Sequence, residues 1–191
     1  MGTRLTAQFS GFTFAGVKKA LLELGWLDET LASVRAETRA VLTHPETLKF
    51  HEGACLDDVV ETLRVLRGPS APEELMRAAT AKSLEGIVAP LARIYLTFSG
   101  GDPGALLERF GNLTQALSRN ITTGWTKESG RGGLLTLTYP HVPPAAVDLG
   151  WKGALRHLLD FAKCAGTVEV LERGDGGHTL RLRVEWAPPA A

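Results

Sequence analysis

The sequence predicts an α+β fold, with a layer of about five helices followed by a ββαββ unit that forms a four-stranded antiparallel sheet. Three observations predict it. Apolar residues recur at three- and four-residue spacing up to about residue 118, the texture changes to alternation after Asn120, and one amphipathic stretch lies between two alternating pairs of segments. At 191 residues the chain is long enough to bury a real core as one domain. Within it, residues 1–119 form the helical part, 120–186 the ββαββ part and 187–191 a flexible tail.

The elements follow in order. Phe14, Val17, Leu21 and Leu24 recur at helical spacing, and Gly25 stops that segment. A second helix is predicted over 28–42, with Asp28 as its cap. HPETLKFHEG reads as a loop. Leu56, Val59, Val60, Leu63 and Leu66 form the stripe of a third helix, ended by Gly68-Pro69-Ser70. Pro72, Glu73 and Glu74 suit the first turn of a fourth helix, where acidic groups meet the positive end of the helix dipole. This helix is expected to continue to about Phe98. A kink is expected at 86–90, because Pro90 lacks a donor and crowds the preceding turn. Asp102 caps a fifth helix with Pro103 at its first position, and Leu106, Phe110, Leu113 and Leu117 supply the buried face.

In the second half, Ile121, Thr123 and Trp125 share one side of a strand, ESGRGG is a turn, and Leu135, Leu137 and Tyr139 alternate in the returning strand. PHVPP interrupts, and Pro143 and Pro144 lead into a helix over 145–165 that Gly166 terminates. Val147, Trp151, Ala154, Leu155, Leu158, Phe161, Ala162 and Ala165 fall in one arc at about 100° per residue, with Lys152, Arg156, Asp160 and Lys163 opposite. A second hairpin, TVEVLERGDGGHTLRLRVEW, places Leu180, Leu182, Val184 and Trp186 on one face and Arg181, Arg183 and Glu185 on the other. The helix is expected to cover that apolar row, each side chain contributing about 1.5–3 kcal/mol on burial.

Composition narrows the function classes. Hydrophobic residues make up 44% and charged residues 22%, and 21 basic residues balance 21 acidic ones, which excludes a general nucleic-acid binder. Cys55 and Cys164 fit a reducing cytoplasm. No signal peptide and no apolar run of membrane-spanning length are expected. MGTRLT matches a myristoylation pattern through Gly2 and Thr6, a pattern short enough to arise by chance. The sequons at Asn112 and Asn120 carry no weight without secretion, and Arg173-Gly174-Asp175 reads as part of a hairpin turn.

GWKGALRHLLDFAKCAG followed by VEVLERGDGGHTLRLRVEW resembles a myxobacterial paralogous family of uncharacterised proteins of similar length. The order of helices and ββαββ looks like the superfamily that holds heme-nitric-oxide-binding sensors, the four-vinyl-reductase ligand-binding domain and the Bet-type subunits of the TRAPP particle. The resemblance is clearest over 120–186 and architectural over 1–119. It implies relatives that bind small hydrophobic or heme ligands, or that act as dimeric assembly platforms. Heme sensors of the superfamily carry a proximal histidine and a Tyr-x-Ser-x-Arg motif. The nearest string here, YLTFSGG from Tyr95, has neither the spacing nor the arginine, and no histidine carries over as an axial ligand. No cofactor is therefore expected. The cysteine clusters of some four-vinyl-reductase proteins are missing as well.

His51 and Cys55 in HEGAC are four apart, with Asp57 and Asp58 nearby, but a metal site needs three or four ligands in fixed geometry, and a loop running into a helix accounts for them. Gly150, Gly153, His157 and Cys164 occupy one edge of the helix over 145–165. Each glycine costs roughly 0.5–1 kcal/mol against alanine, so something approaches closely there: an element of the same domain, a second copy of the chain, or a ligand. A thiol–histidine catalytic pair lacks an orienting group. ESGRGG is a simple turn, and Glu169, Glu172 and Glu185 near Arg181 and Arg183 read as cross-strand pairs on a solvated sheet face. No nucleophile elbow or dinucleotide fingerprint occurs.

These readings lead to a non-enzymatic interaction or assembly module, homodimeric through its helical layer, in the bacterial cytoplasm, with no nucleic acid, no metal and no membrane span. The alternative is a sensor domain binding a small hydrophobic ligand between the sheet and the helices, in a pocket lined by Trp125, Tyr139, Trp151 and Phe161. An enclosed cavity of roughly 300 Å³ or more distinguishes the second reading from the first.

Overall fold

In the computed structural model, residues 5–85, 93–94, 96–97 and 101–187 are described, except for the side chains of Phe110 and Leu113. The expected kink at Pro90, residues 95 and 98–100 of the string from Tyr95, Gly2 and all but the first residue of the tail lie outside the described residues.

The chain starts with β1 (Gln8–Ser10) and α1 (Gly11–Glu23). Ser10 caps α1, its hydroxyl accepting from the Thr13 amide at 3.4 Å, and Gly25 ends the turn beyond it at φ 70°. The single helix expected over 28–42 is two: α2 (Leu27–Ser33) and α3 (Ala36–Thr43). Val34 and Arg35 between them are extended. The break buries Val34 to 3% exposure, and two arginines hold it. Arg39 donates from Nε to the Leu31 carbonyl at 2.6 Å, covering an open end of α2, and Arg35 donates its amide to Asp58 at 3.0 Å. Asp28 therefore sits in the first turn of α2, which Trp26 precedes.

The segment read as a loop over 44–53 contains β2 (Phe50–Glu52). It pairs antiparallel with β1, whose other edge takes β3 (Ser118–Arg119), giving a small sheet in the order β2-β1-β3. Strands this short carry no readable alternation. α4 (Gly53–Arg67) ends at Gly68, φ 95°, and α5 (Ala71–Leu84) has Pro72 in its first turn, as expected. α5 stops at Leu84, with Glu85 extended, earlier than the predicted continuation to Phe98. α6 (Pro103–Leu117) starts as predicted, the Asp102 carboxylate accepting from the Gly104 amide at 3.0 Å.

β4 (Thr122–Ser129), β5 (Gly132–Thr138), β6 (Gly166–Val170) and β7 (Thr179–Trp186) form an antiparallel four-stranded sheet in the order β4-β5-β7-β6. The predicted apolar row is in register: Leu135 faces Leu182 and Leu137 faces Leu180, all buried. On the other face Glu169 is registered with Arg183, a cross-strand charge pair at 3.8 Å.

α7 (Ala146–Phe161) packs against β6 and β7 on one side, and on the other against α5. The polar arc opposite the stripe is thus not a free solvated face. Lys152 and Arg156 reach Glu73 of α5 at 3.0 and 2.9 Å, and Arg77 of α5 reaches Asp160 at 2.7 Å. α7 also ends earlier than predicted. Lys163 takes φ 55° just past the helix, and Gly166 is the first residue of β6 instead of the helix stop. A Cβ at Gly166 would lie 2.4 Å from the Glu185 carbonyl oxygen, so strand pairing, not helix termination, calls for glycine there.

The loop before α7 is held by one arginine. Arg173 donates from Nη1 to the Pro143 carbonyl at 2.6 Å and from Nη2 to that of Pro144 at 2.9 Å, and it pairs with Asp148 through Nε at 2.9 Å. The Arg-Gly-Asp string is accordingly a structural part of the second hairpin, as the sequence suggests, with its arginine turned inward.

Candidate ligand cavity

A cavity of about 140 Å³ opens where β1, α1, α4, α5, α6 and α7 converge. It lies among the helices and not directly on the four-stranded sheet. Its walls are apolar, including Phe9, Leu56, Val60, Ala79, Val147 and Ala154. Two of the hydroxyls that border it are turned to the backbone: Thr80 donates to the Met76 carbonyl and Ser118 to that of Thr114, both at 2.7 Å. Gly150 helps keep the space open. A Cβ there would meet Met76 Cγ at 3.1 Å and Val60 Cγ1 at 4.0 Å.

Among the described lining residues, Asp57 is the one ionisable group. Burial raises its carboxyl above the ordinary range, against the pull of His141, whose Nε2 lies 3.5 Å from Asp57 Oδ2, and of Arg35 and Arg173 farther away. His141 in turn packs edge-on to Tyr139 at 6.2 Å.

Of the four residues predicted to line a pocket, only Trp151 does so. Its indole N–H donates to the Tyr139 hydroxyl, and burial pushes that phenol well above its usual range, so Tyr139 is a neutral support behind the wall. Trp125 stacks on Trp186 at 6.4 Å instead, and Trp186 reaches Gly104 in the first turn of α6. Phe161 sits at the end of α7 beside His157 at 6.3 Å. The pocket formed away from these aromatics because the sheet and α7 fill the space between them with leucines.

The helix edge read as an interface or a ligand wall is occupied from within. A Cβ on Gly153 would lie 2.1 Å from the Glu73 carbonyl oxygen, so α5 is the element that approaches closely, while Gly150 borders the cavity. Burial lowers the pKa of His157 and raises that of Cys164, whose Sγ lies 3.6 Å from the Ala162 carbonyl. Neither is set up for nucleophilic work. His51 is in β2, edge-on to Phe14 at 5.5 Å, and Cys55 is buried in α4 with its thiol pushed up by desolvation. No group of three or more metal-binding side chains occurs among the described residues. Nor, among them, is any helix long and apolar enough to cross a membrane.

No family model and no curated protein matches the sequence. Solved structures do. The Fe(II) unliganded H-NOX protein from K. algicida superposes with a TM-score of 0.69 at 8% identity, over 95% of this chain and 98% of the other. The fold is that of an H-NOX domain. A Tt H-NOX double variant gives 0.67 at 16% identity, over 95% and 97% of the two chains. An oxygen-binding H-NOX domain related to soluble guanylate cyclases, in its oxygen complex, gives 0.64 at 14%, over 91% and 93%. At these identities the likeness concerns the fold alone, and it agrees with the order of elements expected from the sequence.

Heme is studied in H-NOX proteins among these solved structures, and the described residues here do not fit one. His44, His51, His141, His157 and His178 are the five histidines of the chain, and none lines the cavity. No cysteine, tyrosine or arginine is among its described lining residues either. Its volume matches a site for a single benzene-sized ring, for which a roughly 150 Å³ engineered cavity suffices, and not for a tetrapyrrole.

Sequence reasoning missed most of this lining. Asp57 drew notice only as a metal ligand, and Met76 and Ala79 not at all, because each is an ordinary helix-face residue. Their convergence depends on how five helices and a short strand meet, which no local pattern encodes.

Proposed function

We propose that this chain is a sensor domain that takes a small, mostly apolar molecule directly into the cavity among α1, α4, α5, α6 and α7, without heme. The observation that carries the reading is an apolar cavity inside an H-NOX-like fold whose described lining residues include no histidine, cysteine or tyrosine. The fold's other solved members support a ligand-holding role, since one of them is an oxygen-binding domain. The volume falls below the 300 Å³ used above to separate a sensor from an assembly module, which limits the ligand to about one ring. Of the two expectations, the sensor is favoured, and the homodimeric assembly module has no specific observation behind it. The reading is non-enzymatic: one carboxylate without a nucleophile or metal beside it supplies no reaction.

Thermal melting with toluene as the probe tests it. Binding to the folded state stabilises it by RT ln(1 + [L]/Kd), so the melting temperature rises with the logarithm of ligand concentration once that exceeds Kd. Millimolar toluene is expected to raise it for the native chain and not for Ala79→Leu, which fills the space. No shift for the native chain contradicts the proposal.

A further inference from the structure

The cavity is not uniformly apolar: one acidic side chain, Asp57, is set into its wall. A buried carboxylate costs desolvation energy unless something meets it. His141 meets Oδ2 from one side at 3.5 Å, a distance too long for a strong charge-assisted bond. The cationic groups Arg35 and Arg173 act on Asp57, but Arg35 also pairs with Asp58 and Arg173 is spent on Asp148 and two carbonyls. Trp151, Phe9 and Phe12 add aromatic surface to the same lining. A carboxylate together with aromatic walls in an apolar space is the chemistry that holds an ammonium group, through a charge-assisted hydrogen bond and through attraction of the cation to ring faces.

We infer that the ligand of this cavity is a small apolar amine, one ring or a short alkyl chain in size, whose ammonium group is received by the Asp57 carboxylate. The inference rests on the cavity being a ligand site, as proposed above, and adds the ligand's charge and polar end. The acid also explains a cost that a cavity for purely apolar molecules does not need: an aspartate where alanine or leucine would leave α4 intact.

Calorimetric titration of the native chain at neutral pH with four probes of one shape decides it: benzylamine, benzyl alcohol, toluene and benzoate. Benzylamine is expected to bind at least tenfold tighter than toluene, benzyl alcohol to fall between them, and benzoate to bind more weakly than toluene. Asp57→Asn, which keeps the shape of the side chain, is expected to bring benzylamine to the level of toluene and leave toluene unchanged. Toluene binding in that variant also shows that it is folded. Equal affinity for benzylamine and toluene in the native chain overturns the inference while leaving the cavity a ligand site. Failure of all four probes to bind overturns both. If benzylamine affinity survives Asp57→Asn, the amine is held elsewhere and the inference falls.

Discussion

A side-chain carbon placed on Gly153 would lie 2.1 Å from the main-chain oxygen of Glu73 and 3.0 Å from the amide nitrogen of Arg77. α7 and α5 thus meet backbone against side-chain-free backbone, and the contact is bracketed by the pairs from Lys152 and Arg156 to Glu73 and from Arg77 to Asp160. The contact fixes one wall of the cavity, because Gly150 and Met76 face each other one turn away. Gly153→Ala is expected to destabilise the protein by about 1–3 kcal/mol, since the obstacle is backbone and cannot rotate aside. Gly150→Ala comes tight only against the flexible Met76 side chain, with Val60 at ordinary contact distance, and gains helix propensity, so its effect is expected to stay within about 1 kcal/mol. Urea unfolding of the two variants checks the contrast.

Glu73 gives this contact a pH dependence. Burial alone would raise its carboxyl, but hydrogen bonds from Lys152 and Arg156 outweigh that and hold it below its ordinary value of 4.5. A depressed carboxyl contributes stability that is present above the unfolded-state value and is lost as pH falls through the folded-state one. The native chain is therefore expected to lose stability from about pH 4.5 downward, and Glu73→Gln to lose less over the same range. Its partners stay partly solvated, so the effect is modest and screened by salt. Denaturant melts at a series of pH values measure the difference in slope.

Arg173 holds the loop before α7 through two carbonyls and Asp148, with its side chain only 19% exposed. Arg173→Ala is expected to cost about 2–3 kcal/mol, the range for losing several hydrogen bonds to a charged group. Arg173→Lys is expected to recover little of that, because an ammonium cannot reproduce the fork that meets three acceptors at once. Thermal unfolding of both variants shows whether the geometry or the charge matters.

Hemin mixed with the purified chain and passed through a sizing column is expected to leave the protein without a Soret band in stoichiometric amount. Retention of one heme per chain would mean that residues outside the described lining supply the ligation.

The ββαββ unit was legible because period-two alternation in Leu135 and Leu137 and in Leu180 to Trp186 specifies which face is buried, and the helix between the hairpins has one wide apolar arc. Helix starts marked by chemistry, such as Asp102-Pro103, were legible too. Three things were not. The break at Val34-Arg35 depends on Asp58, Ala54 and Arg39, none of which marks a helix end by itself. The sheet of β1, β2 and β3 joins three short strands from distant parts of the chain. The partner of the polar arc of α7 was the third, because lysine, arginine and aspartate opposite an apolar stripe do not show by themselves that they pair across to α5. The cavity was displaced from the expected aromatic pocket because α7 is covered on two sides: Val147, Gly150, Trp151 and Ala154 in its first half face the opening, while Phe161 lies at its far end.

Diffraction from a crystal of the chain pressurised with xenon tests the central claim most directly, since xenon occupies apolar cavities of this size without needing any polar partner. The account predicts a single strong anomalous peak bordered by Val60, Ala79 and Gly150. A map with no peak there, or with Met76 and Trp151 collapsed into the space, would contradict it.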